Sequence, residues 1–177
     1  MLSERDAVVL LRDTFGPAVI SDHEFRGDVT VFVHRTRIID VLTFLRDDKR
    51  LLFDMLIDLT AVDYLHYEPE TKAERFEVVY HLRSMATGAR IRVKAPVPED
   101  DCQVPSAVAL YKIADWLERE VWDMMGIVFT GHPHLSRILM YEEFVGHPLR
   151  KDYPYNKEQP QYTIRERSTD RQPVWVR

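Results

Sequence analysis

Cysteine is nearly absent: the chain has one, Cys102, in 177 residues. A single thiol makes no internal disulfide and cannot supply the four thiolates that an iron–sulfur cluster usually takes. A reducing compartment suits such a chain. Glycine is scarce as well, with six residues in all. There is no phosphate loop and no Gly-x-Gly-x-x-Gly turn, so the backbone cradle that nucleotide motifs rely on is missing. NAD or FMN binding by this chain alone is thereby disfavoured. No apolar run approaches the ~18–20 residues that span a bilayer. The opening MLSERDAVVLLRD has charge on both sides of a short apolar run and no small-residue cleavage site, unlike a signal peptide. Nor is there an excess of positive charge. The net charge is −5, which argues against a general nucleic-acid binder.

What is present is ordinary for one globular domain: 45% hydrophobic and 30% charged residues, enough for a sizeable core. Charge is unevenly placed. Residues 148–177 hold seven basic and four acidic side chains, a net +3, so the first 147 residues carry −8. An acidic body followed by a basic, proline-punctuated tail suggests a tail that lies on another surface.

The periodicities predict a fold. Residues 3–15 read as a helix, with Ser3 as its cap, Asp6 three residues on, and Val8, Leu11 and Phe15 on one face. Residues 18–34 read as a strand pair turning at Gly27-Asp28, and 37–47 as a second helix with a stripe of Ile38, Val41, Leu42 and Leu45. Residues 52–65 alternate as a half-buried strand. Phe53, Met55, Ile57 and Leu59 are expected inward, with Asp54, Asp58 and Asp63 as solvent-side carboxylates. Two further strands follow a polar loop at 66–74. One carries Phe76, Val78, Tyr80 and Leu82. The other carries Ile91, Val93 and Ala95, with Arg90, Arg92 and Lys94 outside. Cys102 has no basic neighbour in sequence and reads as inert. A main helix is predicted over 106–125, capped by Ser106 and ended by Gly126. The order α-β-β-α-β-β-β-α lacks a βαβ rhythm. It predicts an α+β domain, helices on one side of a mostly antiparallel sheet, over residues 1–130, with an extended docking arm over 131–177.

The idiosyncratic stretch is 118–154, EREVWDMMGIVFTGHPHLSRILMYEEFVGHPLRKDYP. Its histidines admit a metal reading: His132, His134 and His147 with a nearby carboxylate. They admit a plainer one, in which each Gly-His-Pro fixes a turn, because proline pushes the residue before it away from helix. Glu118, Arg119, Glu120 and Asp123 admit an acid–base cluster, or an ordinary surface pair of Arg119 with Asp123 at i,i+4. Trp116 and Trp122 beside these charges favour an interface. Arg150 in Arg150-Lys151-Asp152 suits a bidentate contact to a carboxylate, or to a phosphate. No Ser/His/Asp or Cys/His nucleophile arrangement stands out. On the residues alone this is an interaction protein rather than a free-standing catalyst.

The same stretch resembles the respiratory complex I 30-kDa subunit family, whose bacterial members are the 30-kDa (C) subunits of NADH-quinone oxidoreductases. The matching residues are Glu118-Arg119-Glu120, Asp123, Gly126, Gly131-His132-Pro133, Arg137-Ile138-Leu139, and Gly146-His147-Pro148-Leu149-Arg150-Lys151-Asp152-Tyr153-Pro154. His134 stands where the family usually has an acid, and Ser136 where it usually has a base. The resemblance implies a peripheral-arm subunit without a redox centre, with FMN and the iron–sulfur clusters held by other subunits. It implies packing on the 49-kDa (D) subunit near the quinone site, with the C-terminal segment running over that partner. The location implied is the cytoplasmic side of the cell membrane, reached only through the complex. Membrane-bound hydrogenases and ferredoxin- or F420-dependent complexes have equivalent subunits. The partner-facing residues expected on this basis are Glu118, Arg119, Glu120, Trp122, Asp123, His132, Arg137, His147, Arg150, Lys151, Asp152 and Tyr153, with no catalytic, cofactor or metal residues in this chain.

Overall fold

The computed structural model describes residues 3–67 and 74–158; residues 68–73 of the polar loop, and the tail positions Tyr162 and Trp175 within 159–177, lie outside the described residues. Helix α1 spans Glu4–Phe15 and starts on the expected capping box. The Ser3 amide donates to the Asp6 carboxylate at 2.8 Å, and the Ser3 hydroxyl oxygen accepts from the Asp6 amide at 3.3 Å. Strands β1 (Val19–Phe25) and β2 (Asp28–Val33) form a hairpin. Its turn is Arg26-Gly27, one residue earlier than predicted. Both carry left-handed φ angles, 53° and 85°, as a two-residue turn with the twist of its strands requires. Helix α2 (Ile38–Asp47) buries Ile38, Val41, Leu42 and Leu45.

Strands β3 (Met55–Asp63), β4 (Phe76–Arg83) and β5 (Arg90–Val97) complete a sheet of order β1-β2-β5-β4-β3. Only the β2–β5 pairing is parallel. The inward side chains of β2, β4 and β5 join those of α1, α2 and α3 (Ala114–Met125) in one core, so the chain is α+β as expected. Arg92 and Lys94 face the other way. Arg92 reaches Thr30 at 3.1 Å and Lys94 reaches Glu77 at 2.9 Å across neighbouring strands. A second, two-stranded parallel sheet pairs β6 (Gln103–Pro105) with β7 (Val128–Thr130), an element the periodicities did not reveal.

Two predictions need correction. In β3 the register slips between Leu56 and Asp58. One extra residue moves the side chains after it to the opposite face. Leu56 before the slip and Leu59 and Ala61 after it therefore share the buried face, while Met55 and Ile57 are exposed. Asp63 lands inside rather than on the solvent side. The main helix begins at Ala114, not at 106. Residues 103–105 are held by β7, and turns follow, with the Leu110 and Tyr111 amides both donating to the Ala107 carbonyl at 2.9 Å. Ser106 does not cap α3; its hydroxyl oxygen accepts from the Val108 amide at 3.3 Å at the start of the turns, and the hydroxyl donates to the Glu118 carboxylate at 2.6 Å.

Candidate functional site: a signature segment moored along one helix

Helix α3 carries two acids that are wholly buried, Glu118 and Asp123. A buried carboxylate persists only with partners, and the two find different ones. Glu118 accepts from the Ser106 hydroxyl and from the Ala107 amide, each at 2.6 Å, tying the helix to the end of β6. Burial outweighs those two bonds and pushes its carboxyl up to about 7.

Asp123 does not pair with Arg119, against the surface-pair expectation. Its Oδ1 accepts from Arg137 at 2.5 Å, and its Oδ2 from three successive amides, Ile138, Leu139 and Met140, at 3.1, 2.9 and 2.9 Å. Burial pushes this carboxyl up, but four donors outweigh it and hold it below the usual value. Arg119 turns the same way, donating to the Ser136 and Arg137 carbonyls at 3.1 Å each. Arg137 in turn donates to the Phe144 and Gly146 carbonyls at 2.8 and 3.3 Å. Its guanidinium lies 5.8 Å from the Trp122 ring and 5.7 Å from that of Phe144.

The two Gly-His-Pro triplets grip opposite ends of α3. His132 Nδ1 accepts from the His134 amide at 3.0 Å, so Nε2 carries the proton and donates to the Asp115 carbonyl at 3.1 Å. His147 has the other tautomer, with Nδ1–H donating to the Asp123 carbonyl at 3.0 Å. Burial is the main cause that holds the His147 imidazole below its ordinary pKa.

The second triplet completes a terminus. An α-helix leaves its last four carbonyls without intrahelical donors. In α3 all four are satisfied: Trp122 by the Gly126 amide at 2.8 Å, Asp123 by His147, Met124 by the Leu149 amide at 3.0 Å, and Met125 by Arg150 Nε at 2.6 Å. Gly126 is required twice over. Its φ is +77°, and a Cβ there would lie 2.6 Å from the His147 ring.

Beyond the cap the chain is moored to the sheet. Arg75, nearly buried, donates to Asp63 at 3.0–3.1 Å and to Asp152 at 2.8 Å, and also pairs with Glu99. Asp63 accepts further from the Leu65 and Lys151 amides at 2.9 Å each. Burial raises the Asp63 carboxyl, and Arg75 with those two amides more than reverses it. The Arg75 and Arg150 guanidiniums both lie against the Phe76 ring, 4.8 and 5.2 Å from its centroid. Tyr153 stacks on Phe144 with ring centroids 6.0 Å apart.

Of the residues singled out in the sequence, Glu118, Arg119, Asp123, His132, Arg137, His147, Arg150 and Asp152 thus bind this chain's own body. Trp122 is half-buried under Arg137, while Glu120 and Lys151 are exposed. Arg75, Asp63 and Ser106 were not foreseen as partners, because each meets its acid or amide only through the fold. The metal reading fails on geometry. His132 and His147 bind carbonyls eight residues apart on α3, about 12 Å along its axis. Both His132 nitrogens are already engaged. Among the described residues, no three His, Cys, Asp or Glu side chains group to hold a metal ion. Burial raises the Cys102 thiol, which suits the inert reading. None of the described helices is long and apolar enough to cross a membrane.

The fold and the segment define a class of chain: a small α+β domain whose longest polar motif moors a strap along its last helix. Known proteins of that class share its sequence. A model of the respiratory-chain NADH dehydrogenase 30 kDa subunit matches residues 31–159. The chain is 53% identical over 154 residues to the NADH-quinone oxidoreductase 30-kDa (C) subunit of Citrifermentans bemidjiense, covering 87% of this chain and 91% of that one. It is 49% identical to the corresponding (C) subunit of a Roseiflexus species, covering 87% and 86%. A solved trypsin-resistant fragment of Nqo5 superposes with a TM-score of 0.63 at 34% identity, over 72% of this chain and 98% of the fragment. A chain of the archaeal membrane-bound sulfane sulfur reductase shares the fold, with a TM-score of 0.67 at 24% identity over 86% of each. The chain belongs to the 30 kDa subunit family of respiratory-chain NADH dehydrogenase, and so is a subunit of the NADH-quinone oxidoreductase type of complex.

Proposed function

We propose that this chain is the cofactor-free peripheral-arm subunit of a proton-translocating NADH:quinone oxidoreductase. It packs on the 49-kDa (D) subunit near the quinone site, on the cytoplasmic side of the cell membrane. Electrons pass from NADH through FMN and iron–sulfur centres in other subunits to quinone, and this chain supports that path by holding its neighbour in place. One observation carries the reading: the polar groups of the signature segment are spent on the chain's own backbone, so they shape a surface rather than meet a substrate. The expected contact residues then divide into two sets. Asp123, His132, Arg137, His147, Arg150 and Tyr153 fix the course of the strap, and outward residues such as Glu120 and Lys151 meet the partner. On this reading the body is 1–130 and the docking arm is 131–177, the arm being moored to the body at its start.

The test is recovery of the tagged chain from detergent-solubilised membranes. A 49-kDa-like subunit should accompany it, and the isolated chain should contain no FMN, metal or NADH. An intact chain recovered without that partner would sink the proposal. The shared fold of the sulfane sulfur reductase chain keeps a second reading in view, an equivalent subunit of a hydrogenase or of a ferredoxin- or F420-dependent complex. NADH oxidation by the recovered complex decides between them.

A further inference from the structure

The sheet has one face turned away from the helices, and one corner of it gathers arginine. Phe76, Val78, Tyr80 and Leu82 of β4 and Ile91, Val93 and Ala95 of β5 lie in the core, so alternation sends His81, Arg83, Arg90 and Arg92 to the other face. The strand registers make these residues neighbours. Arg83 stands opposite Arg90, and His81 opposite Arg92, across β4 and β5. Arg92 continues to Thr30 on β2, and His81 to Asp58 on β3. A cavity of about 370 Å³ opens at this corner, with Asp28, Ile57, Asp58, His81, Arg90 and Arg92 in its lining.

Counter-charge is short here. Like charges directly opposite each other on a sheet destabilise it. Arg83 and Arg90 nonetheless face each other, and among the described residues no carboxylate pairs with either. The Arg83 Nε–H is buried with no acceptor, a costly state for a charged donor. Arg92 is engaged by Thr30 at 3.1 Å and, at 3.4 Å, by Asp28. Burial, with Arg92 next, holds the His81 imidazole below its ordinary pKa, so at neutral pH it offers a hydrogen-bonding nitrogen and no charge. Three guanidiniums therefore stand against the carboxylates of Asp28 and Asp58.

We infer that this corner binds a small oxyanion that still carries a proton, inorganic phosphate being the species that fits. Arg90 and Arg92 in the lining, with Arg83 beside them, supply the charge and the forked donors that phosphate oxygens take. Asp58 supplies selectivity. A carboxylate in an anion site repels its ligand unless the ligand donates a hydrogen bond to it. Hydrogen phosphate keeps an O–H at neutral pH, whereas sulfate and an ionised phosphodiester, the chemistry of a phospholipid headgroup, have none. The site is independent of the proposed role in the complex, because every residue in it belongs to this chain's own sheet.

Phosphate, sulfate and diethyl phosphate are titrated in turn into the full chain at constant ionic strength, read by heteronuclear NMR of the amides and arginine Nε–H groups and by thermal melting. Phosphate should shift the Arg83 Nε–H and the neighbouring amides of β4 and β5 saturably. It should also raise the melting temperature with concentration, as a ligand of the folded state does. Sulfate and diethyl phosphate should bind at least about tenfold more weakly, the margin of one hydrogen bond to a charged group. Asp58→Asn should narrow that preference. Arg90→Gln should weaken phosphate binding by about tenfold or more. In phosphate-free buffer it should melt no lower than the wild type, because it relieves a like-charge pair. An absence of saturable shifts at these residues would overturn the site, as would equal responses to the three anions. So would an Arg90→Gln chain that melts lower without phosphate yet binds phosphate as the wild type does.

Discussion

At the scale of single residues, the two buried acids of α3 oppose each other in their response to pH. Below about pH 4.5, Glu118 is protonated in both folded and unfolded chains and contributes no pH dependence. Between 4.5 and its folded value of about 7, the folded chain keeps a proton that the unfolded chain has released, so stability falls as pH rises. Above that window it is flat again. The slope approaches tenfold in the folding equilibrium per pH unit. Replacing Glu118 with Gln should remove this slope, and urea unfolding at pH 5 and pH 8 reads it. The variant should gain on the wild type as pH rises. Asp123 runs the other way: its folded pKa is depressed, so its contribution is present above the usual carboxylate pKa and is lost as pH falls through the folded one. Asp123→Ala strands Arg137 and frees three amides, and should cost about 3 kcal/mol or more, as breaking a buried pair does. In denaturant titration, a loss under 1 kcal/mol would show that the carboxylate is dispensable.

At the scale of elements, Gly126 and His147 act as one joint. Gly126→Ala should cost about 1 kcal/mol from the left-handed backbone alone, and more from the displaced imidazole. In a His147→Ala background the ring is gone, so the second penalty should vanish. The double mutant should be at least about 1 kcal/mol more stable than the sum of the single changes predicts. Strict additivity would mean that the ring moves aside at no cost. This joint also shows what the sequence discloses. Gly126 marks the end of α3 because left-handed termination is local, and Ser3 with Asp6 marks the start of α1 for the same reason. The start of α3 was illegible, because the groups that tie Ser106 and Ala107 down sit on Glu118, eleven or twelve residues later. The phase of β3 was illegible because a bulge leaves alternation intact on either side while exchanging the faces. The histidines were legible as turn-formers, but which carbonyl each would satisfy depends on the path of the strap. Arg75 gave no signal, since its partners Asp63 and Asp152 lie 12 and 77 residues away.

For the whole molecule, the question is whether the segment after β7 is an appendage or part of the folded body. Its contacts run from His132 through Lys157, which lies against the Tyr153 ring at 5.2 Å. They satisfy the C-terminal carbonyls of α3, neutralise Asp123 and pair Asp63 and Arg75 with the strap. Removing residues 131–177 would leave a buried Asp123 without its arginine and three helix carbonyls without donors. Removing only 159–177 disturbs none of these bonds. Two truncations should therefore part company. The chain ending at Glu158 should keep the melting temperature of the full chain and lose ability to assemble with its complex. The chain ending at Thr130 should melt well below it, by roughly 6–12 °C if the loss reaches about 3 kcal/mol, since about 1 kcal/mol moves a domain of this size by ~2–4 °C. Amide exchange locates the same boundary without cutting the chain. Arg75→Gln should speed exchange at Lys151, whose amide donates to Asp63, and at Leu149, whose amide donates to α3, while amides of β4 and β5 stay protected. If β4 and β5 loosened together with Lys151 and Leu149, the strap and the sheet would be one cooperative unit. Loss of protection confined to the strap would mean that it opens on its own.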